Sequence, residues 1–348
     1  MAALLSSASS GCSTPAAASR DNNSLADIAR GTSLLVEPGT LDVQNVHAPA
    51  VLVVATWLDR FGKLSHSECS GVLIHPRVVV TAGHCVCVFR TPTPEDKPSE
   101  KPVARKAVLT RTSELQDVDI TGVLDKRSSC AQKASALTVV YGPGADGGRP
   151  TVESADLHGR VLPHPEMELI AGTKAGQTRV FWNNADLAAI VLDEPVPPEV
   201  NPAALPDSEV KMGDDLVMVG YGTAEPTDYA VRQSGETEVT KMFRLQTGSV
   251  LFGMVASPMP DGGVSPVARH GDSGGGCVRK ENPNVLLGVI TMQMQMEGEP
   301  QMTLFTSTFS QKRWLKEIIR QADLAAGTGG GVPHSDAGST PSPPPVAR

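Results

Sequence analysis

Short apolar runs alternate with stretches rich in glycine, proline and charged residues along the middle of this chain. The run Val51–Trp57 is rich in β-branched residues and predicts a strand. A second apolar run ends at Thr81, and a third follows Asp186. Towards the C-terminus, large apolar residues recur at helical spacing: Trp314, Leu315, Ile318 and Ile319. The pattern therefore predicts a series of strands followed by a helix.

The two ends of the chain differ in composition from its middle. Residues 1–45 are mostly small and polar, which is typical of a leader and linker, and residues 323–348 are rich in Gly, Ser and Pro and are expected to be disordered. The folded domain should therefore span residues 46–322. Within it, the Pro-rich charged stretch 90–102 predicts a solvated loop.

Composition excludes some classes of function. The chain has 348 residues, 40% of them hydrophobic, which is enough for about two packed domains. Its formal net charge of −8 argues against nucleic acid as a partner, because binding to phosphates depends on clustered Lys and Arg. No run of 18 apolar residues is present, so we expect no membrane-spanning helix.

Three distant segments carry residues suited to nucleophilic catalysis. Ser273 lies in a glycine-rich turn, Gly271-Asp272-Ser273-Gly274-Gly275, whereas His84 follows an apolar run and Asp186 opens another. A serine hydroxyl is a weak nucleophile until a base removes its proton, and histidine titrates near neutrality. A carboxylate beside the imidazole fixes its tautomer and stabilises its protonated form.

The order His84, Asp186, Ser273 resembles the chymotrypsin/trypsin family of serine endopeptidases. The resemblance extends over about residues 48–322, because three more segments look like strands of that family: Cys69–Ile74, Leu216–Gly222 and Leu286–Thr291. It implies an all-β fold of two six-stranded antiparallel Greek-key barrels with a C-terminal helix.

The resemblance also implies a role for each residue of the site. Ser273 would be the nucleophile, His84 the general base and acid, and Asp186 the orienting carboxylate. The backbone amides of Gly271 and Ser273 would form the oxyanion hole, where a side chain at position 271 would crowd the turn. This catalysis needs no metal or other cofactor, and the cysteines show no spacing typical of a metal site.

Two alternatives to this assignment can be weighed from the sequence. The motif around Ser273 also fits the nucleophile elbow of α/β-hydrolases, but that fold needs a histidine after the serine, and only His334, in the tail, follows it. The role of Asp186 could fall to one of several other aspartates, including Asp117, Asp119 and Asp193. The apolar strand pattern after Asp186 favours this residue, because it resembles the corresponding segment of the family.

Positions that line the family's primary specificity pocket can also be transferred. Val267 falls at the base of the pocket, where trypsin-like enzymes carry an acidic residue, and Gln293 and Thr303 fall on its walls. We therefore expect a small or medium apolar side chain on the acyl side of the scissile bond, and not Arg or Lys.

The chain has six cysteines, which bear on its disulfides and on the cellular compartment of the protein. The resemblance implies a Cys69–Cys85 disulfide, and Cys87 and Cys130 could close a predicted insertion of about residues 88–160. Cys277 has no evident partner and could equally be a buried free thiol. Disulfides favour an exported protein.

The N-terminal region leaves two questions open. Residues leading to Cys12 resemble the end of a bacterial lipoprotein signal, with a lipid anchor on Cys12, or they are an unstructured segment with an incidental cysteine. The family's Ile-Val-Gly-Gly start is missing, with only Leu35–Gly39 or Val43 as weak candidates. In the family, the amino group of that N-terminus forms an ion pair with the aspartate at position 272. Here Asp272 must pair with a different cation, or the site differs from that of the family.

The sequence thus favours an exported, monomeric serine endopeptidase that acts on proteins or peptides. Two alternatives come from other classes. One is a catalytically silent binding protein on the protease scaffold, although such relatives usually lose the serine or histidine. The other is a surface-anchored scaffold for which a lipid on Cys12 matters more than catalysis.

Overall fold

The structure is a computed structural model that describes residues 39–58, 64–97, 108–142, 151–222, 231–258, 265–294 and 300–328. Cys12 and nearly all of the predicted leader lie outside the described residues, as do residues 329–348 of the predicted tail. In chain order the elements are β1 (Thr40–Leu41), β2 (Ala50–Leu58), β3 (Leu64–His75), β4 (Val78–Thr81), α1 (Arg111–Glu114), β5 (Asp119–Leu124), β6 (Lys133–Gly142), β7 (Thr151–Pro163), β8 (Glu168–Lys174), β9 (Gln177–Asn184), β10 (Ala188–Leu192), β11 (Asp215–Gly220), β12 (Gln233–Glu238), β13 (Lys241–Arg244), β14 (Val250–Val255), β15 (Gly276–Arg279), β16 (Asn282–Met294), β17 (Met302–Ser307) and α2 (Lys312–Thr328).

Six antiparallel strands form a closed barrel in the order β10-β4-β3-β2-β6-β7. Side chains of a strand alternate between its two faces, and here both faces are buried. Val51 and Val53 pack inside the barrel, whereas Leu52 packs outside it, against the second sheet. This explains why the predicted strand Val51–Trp57 begins as a continuous apolar run.

The second sheet has eight strands in the order β1-β12-β11-β15-β16-β17-β14-β13. β12, next to the two-residue end strand β1, and β13, the strand at the other end, are separated along the chain only by Val239 and Thr240. The Val239 amide donates to Asp214 O at 3.1 Å, beside β11, and the Thr240 amide donates to Gly253 O at 2.9 Å, in β14. The chain thereby passes from one side of the sheet to the other, which gives a barrel-like sheet that we call the second barrel. The all-β fold with a C-terminal helix is confirmed.

A third, three-stranded sheet, β5-β8-β9, was not foreseen from the sequence; we call it the accessory sheet. Ile120, Ile170 and Trp182 of this sheet pack with Leu245 and Leu251 of the second barrel in one apolar cluster. The predicted insertion, about residues 88–160, thus contributes β5 to the accessory sheet, whereas β6 and most of β7 are strands of the first barrel.

The Pro-rich stretch predicted as a solvated loop is partly ordered by charge pairing. Its described part, residues 90–97, contains a 3₁₀ turn at Pro94–Asp96, and Asp96 is buried. Arg90 pairs with both Asp96 and Asp125, at 2.8 and 2.6 Å. A buried carboxylate requires such a partner, so the ion pair fixes the turn against the body of the insertion.

Both disulfides considered from the sequence are present. Cys69–Cys85 links β3 to the turn after β4, and Cys87–Cys130 closes the base of the insertion. Cys277 is a buried free thiol, and burial raises its pKa.

The C-terminal helix packs on the surface between the two barrels. Leu315 and Ile318 are buried there, and Trp314 and Ile319 are partly buried against the same cluster. The helix continues to Thr328, past the boundary expected at residue 322, because Ala322 still packs on this cluster. Among the described residues, no helix has the length and apolar character needed to span a membrane.

A buried ion pair ties the N-terminal described segment to both barrels. Arg232, which has no exposed surface, donates to Asp42 Oδ2 at 2.7 Å and to the carbonyl of Val139 in β6 at 2.6 Å. Tyr221, after β11, lies within hydrogen-bonding distance of the same guanidinium at 3.3 Å. Because a buried charge that loses its partner is costly, this cluster fixes how the segment crosses between the barrels.

Candidate active site

His84 lies in a single 3₁₀ turn, Gly83–Cys85, directly after β4. A side chain at Gly83 could not be accommodated, because its Cβ would lie 1.9 Å from Met167 Sδ and 3.1 Å from Asp186 Oδ1. The glycine therefore allows the backbone at His84 to approach Asp186 closely. Cys85 is tied to Cys69, which anchors the other side of the turn.

Asp186 is fully buried and orients the imidazole. Its Oδ2 lies 2.7 Å from His84 Nδ1, and its Oδ1 accepts the backbone amide of His84 at 3.0 Å. With Asp186 ionised, Nδ1 carries the proton and Nε2 is the basic nitrogen. Burial lowers the pKa of His84, but the charge of Asp186 and its hydrogen bond outweigh burial, and the net pKa is raised above 6.5.

The other aspartates considered for this role lie elsewhere. Asp117 and Asp119 are exposed, and Asp193 forms an exposed ion pair with Lys133. Only Asp186, among these four, contacts His84.

Two residues that support Asp186 were missed by sequence reasoning. Thr291 Oγ1 donates a short hydrogen bond to Asp186 Oδ2, and Asn183 Nδ2 donates to Thr291 Oγ1 at 2.7 Å. The pairing of β16 with β17 shifts register between Ile290 and Met292, so Thr291 is an extra residue in a β-bulge. Bulges re-aim side chains, and nothing in the sequence marks this one.

Ser273 lies at the tip of a tight turn held by its main chain. Gly271 and Gly274 both have positive φ, +93° and +82°, a conformation that favours glycine. The carbonyl of Ser273 accepts the amide of Ser70 at 2.8 Å, and Cys85 Sγ lies 3.5 Å from the same oxygen. The Ser273 turn therefore docks on β3 and on the residue that follows His84.

The turn could not dock this closely with a side chain at position 274. A Cβ at Gly274 would lie 2.2 Å from both Ser70 O and Thr81 Oγ1. Since Thr81 ends β4, three residues before His84, the close contact brings the serine turn and the histidine turn together.

The predicted oxyanion donors are the amides of Gly271 and Ser273. Within the described part of the chain, neither amide donates a hydrogen bond to another protein group. The Gly271 carbonyl is fixed from the opposite side, because it accepts from Ser70 Oγ at 2.8 Å. Two unpaired, fixed N–H groups beside a nucleophile can stabilise a developing oxyanion.

Asp272 is fully buried, and backbone amides satisfy its carboxyl group. Gly222 N and Arg269 N each donate to one of its oxygens, both at 2.8 Å. Burial raises the pKa of Asp272 to about 7, against the opposing effect of these hydrogen bonds. Val43, one candidate for a family-like start, is exposed, and residues 35–38 of the other candidate lie outside the described residues.

The three predicted specificity residues meet around Ala268. Gln293 Nε2 donates to the Ala268 carbonyl at 2.8 Å, and Thr303 Oγ1 accepts the Ala268 amide at 3.0 Å. Val267 is buried in the apolar cluster of the second barrel. Val267, the residue predicted at the pocket base, carries no charge that could pair with a cationic side chain, and the Gln293 side chain is hydrogen-bonded to Ala268.

No group of three or more potential metal-ligating side chains occurs among the described residues.

Comparison with known proteins agrees with the fold. Two antiparallel barrels with a His–Asp pair and a glycine-flanked serine define the chymotrypsin-like class of protein. The family model described as Trypsin matches residues 56–120 and 129–315, and the chain therefore belongs to the trypsin family.

The comparisons with solved structures and with curated proteins add little to this family assignment. A solved structure titled "Structure of GrC" shares 15% sequence identity, with a TM-score of 0.46, over 81% of this chain and 98% of that one. A search of curated proteins found no match.

Proposed function

We propose that this protein is a serine endopeptidase that hydrolyses peptide bonds through an acyl-enzyme on Ser273. One observation carries the proposal: the fully buried Asp186 accepts the Nδ1 hydrogen of His84. The turn that carries His84 also contacts the turn that carries Ser273, through Cys85 and the Ser273 carbonyl. This pairing leaves Nε2 of His84 to act as the base, which is the arrangement that a serine nucleophile requires.

The reaction follows from these roles. Ser273 Oγ attacks the carbonyl carbon of the scissile bond while its proton passes to His84 Nε2. The oxyanion receives hydrogen bonds from the amides of Gly271 and Ser273, and His84 then protonates the leaving amine as the C–N bond breaks. Water, deprotonated by His84, attacks the resulting ester. His84 then returns the proton to Ser273 Oγ as the ester C–O bond breaks, which releases the acid product and restores Ser273.

The substrate would present a small or medium apolar side chain on the acyl side of the scissile bond. Val267 at the pocket base offers no counter-charge for Arg or Lys, and the hydrogen bond from Gln293 to Ala268 O limits the depth. Cleavage of a peptide library should show Ala, Val or similar residues at this position. A dominant preference for Arg or Lys would overturn this part of the proposal.

Labelling with a fluorophosphonate probe tests the catalytic assignment and separates it from the silent-scaffold alternative. We expect the wild-type protein to be labelled on Ser273, and Ser273→Ala and His84→Ala to lose the label. Ser154→Ala and His66→Ala, which alter exposed residues of the first barrel, serve as controls and should keep it. A wild-type protein that is folded but unlabelled would favour the binding protein.

We further propose that the enzyme is exported and works as a monomer. The two disulfides are consistent with an extracellular protein. Mass spectrometry of the mature N-terminus tests export processing and a lipid on Cys12 together. An unprocessed N-terminus recovered from the cytoplasm would contradict export.

A further inference from the structure

A pocket of about 690 Å³ lies between the first barrel and the last turns of α2, and it is open to solvent. On the helix side it is lined by Ala322, Ala325 and Ala326, which share one face of α2. Their short side chains leave the space unfilled. On the barrel side the lining includes Val191 of β10. The volume falls within the range of about 300–1,000 Å³ that is usual for ligand-binding clefts.

Three of the side chains that line this pocket are cations. They are Arg77, which precedes β4, Lys133 at the start of β6, and Arg160 in β7. Asp193 is the one carboxylate among the described residues of the lining. Three positive charges and one negative charge leave +2, in a chain whose formal net charge is −8. A local positive charge on an acidic protein favours an anionic occupant.

Lys133 and Arg160 lie directly opposite each other on neighbouring antiparallel strands. Side chains at such positions project from the same face of the sheet, and like charges there are destabilising. Asp193 lies 3.1 Å from Lys133, but in the described part of the chain Arg160 forms no ion pair. The pocket therefore retains a cation that a ligand could neutralise.

Arg77 is fixed at the edge of the pocket by main-chain groups. Its Nη1 donates to the carbonyl of Asp193 at 2.6 Å, and its own carbonyl accepts the amide of Leu192 at 2.8 Å. Among the described residues, its other guanidinium N–H groups have no acceptor. A guanidinium presents its donors in a planar fork that matches a carboxylate.

The mixed lining favours a carboxylate on a hydrocarbon stem. A glutamate side chain can place its carboxylate against the cations and its methylene groups against the alanines of α2. A sulfated sugar is polar on all sides, so it would leave the alanine wall without an apolar contact. Asp193 also repels a doubly charged phosphate group more strongly than a single carboxylate. The chemistry therefore favours an acidic polypeptide segment.

The pocket lies at the far ends of the two strands that position the proposed catalytic pair. Arg77 precedes β4 and His84 follows it, whereas Asp186 precedes β10 and Asp193 follows it. Each of these two separations is seven residues, which span at most about 23 Å in an extended strand. An occupant of the pocket therefore lies away from the bond that would be cleaved.

We propose that this pocket binds a glutamate-rich segment of a protein substrate, remote from the scissile bond. That the partner is a substrate rests on the proposed peptidase function, whereas the binding of an acidic segment does not. Attachment at a second point raises the effective concentration of the scissile segment near Ser273, so it should lower KM.

Calorimetry with the Ser273→Ala variant tests binding without any need for catalysis. The probe is an acetylated and amidated octapeptide of alternating Glu and Ala, and its match carries Gln in place of Glu. We expect the Glu peptide to bind about tenfold more tightly at low salt, from several exposed ion pairs together. This advantage should shrink as salt is added, because salt screens such pairs. Equal binding of the two peptides would overturn the proposal.

Substitutions in the same Ser273→Ala protein locate the effect. Lys133 and Arg160 are exposed, so Lys133→Gln and Arg160→Gln should leave the fold intact, and the two together should abolish the preference for Glu. Lys241→Gln, at an exposed lysine of the second barrel, is the matched control and should keep the preference. Full preference in the double variant would place the acidic segment elsewhere.

A sulfated polymer is the competing class of partner, and dextran sulfate is its probe. Binding of dextran sulfate that requires Lys133 and Arg160, without binding of the Glu peptide, would overturn the proposal in favour of a polyanion site.

Hydrolysis by the wild type tests whether the partner is a substrate. A cleavable peptide joined to the Glu segment by a flexible linker should have a KM about tenfold lower than its Gln match. The Lys133/Arg160 double variant should lose this difference, and Lys241→Gln should keep it. Equal KM values for the two substrates would show that the partner is not a substrate. A wild type that binds the Glu peptide but cleaves neither substrate would count against the peptidase and not against the pocket.

Discussion

The histidine half and the serine half of the candidate site are held by different means. His84 belongs to the first barrel, where a charged side chain, Asp186, and a disulfide at Cys85 fix its position. Ser273 belongs to the second barrel, where glycine conformations and main-chain hydrogen bonds fix the turn. Both disulfides of the described residues lie in the first half, whereas Cys277 of the second is a free thiol.

The two halves are held differently because one carries a side chain, the imidazole, and the other carries main-chain amides. An imidazole can rotate about its side-chain bonds and must keep one tautomer, so it needs a partner side chain. Oxyanion donors are main-chain amides, which only the backbone conformation can aim. The two buried carboxylates follow the same division: Asp186 accepts from side chains as well as an amide, whereas the oxygens of Asp272 accept backbone amides.

The largest effect should come from removing the charge that orients the histidine. Asp186→Asn should lower kcat/KM by about 10⁴-fold, because the amide favours the wrong tautomer of His84. Asp186 also raises the pKa of His84, and only neutral His84 is a base, so wild-type activity should fall as pH drops through a value above 6.5. In the variant this acid limb should move to lower pH.

Peptide hydrolysis between pH 5 and 9 measures both effects. Asp193→Asn, at an exposed carboxylate, is the matched control and should behave like the wild type. A loss of less than tenfold in Asp186→Asn would show that this half of the site is not organised by its carboxylate.

The next largest effects should come from removing the disulfides. Replacing Cys87 and Cys130 by Ala opens a cross-link with a sequence separation of 43 residues and should cost about 2–4 kcal/mol of unfolding free energy. Denaturant titration measures this loss. The folded double variant should still label at Ser273, whereas the corresponding Cys69/Cys85 variant, which frees the residue beside His84, should label more slowly. Equal labelling of the two would mean that the histidine turn does not depend on its disulfide.

The serine half should show its own pH dependence. Asp272 has a folded-state pKa of about 7, raised from 3.8, so the folded state binds the proton more tightly than the unfolded state. Its contribution to stability is therefore complete below about pH 4 and is lost as pH rises through 7, by at most about 1.4 kcal/mol per pH unit. Asp272→Asn should remove this part of the slope.

Urea unfolding at pH 5 and pH 8 measures the unfolding free energy of the wild type and of Asp272→Asn. The decrease in unfolding free energy between the two values should be smaller in Asp272→Asn than in the wild type. Identical decreases would show that Asp272 is ionised throughout this range in the folded protein.

The smallest effect concerns the proposed specificity pocket of the serine half. Gln293→Ala removes the side chain that spans to Ala268 O, and the deeper pocket should accept Leu on the acyl side about tenfold better relative to Ala. Relative kcat/KM for a Leu and an Ala peptide is the measurement, with Gln321→Ala on the exposed face of α2 as control. An unchanged ratio would place the limit on pocket size at Val267 or Thr303.

The sequence by itself determined the order of the three candidate residues and, through their resemblance to the family, the fold class and the Cys69–Cys85 disulfide. These features are carried by short local patterns, in which glycine, histidine or cysteine follows an apolar run at a fixed distance. Local patterns survive in a single sequence because each depends on only a few neighbouring residues.

Only the tertiary structure decided which groups surround those residues. Thr291 reaches Asp186 through a β-bulge, Asp272 accepts the amide of Gly222, 50 positions earlier in the chain, and the accessory sheet joins segments from both sides of β6 and β7. Each of these contacts forms between segments far apart in the chain, and each segment alone has an ordinary polar or apolar pattern. Their positions are set by the packing of the two barrels against each other, which no local sequence pattern encodes.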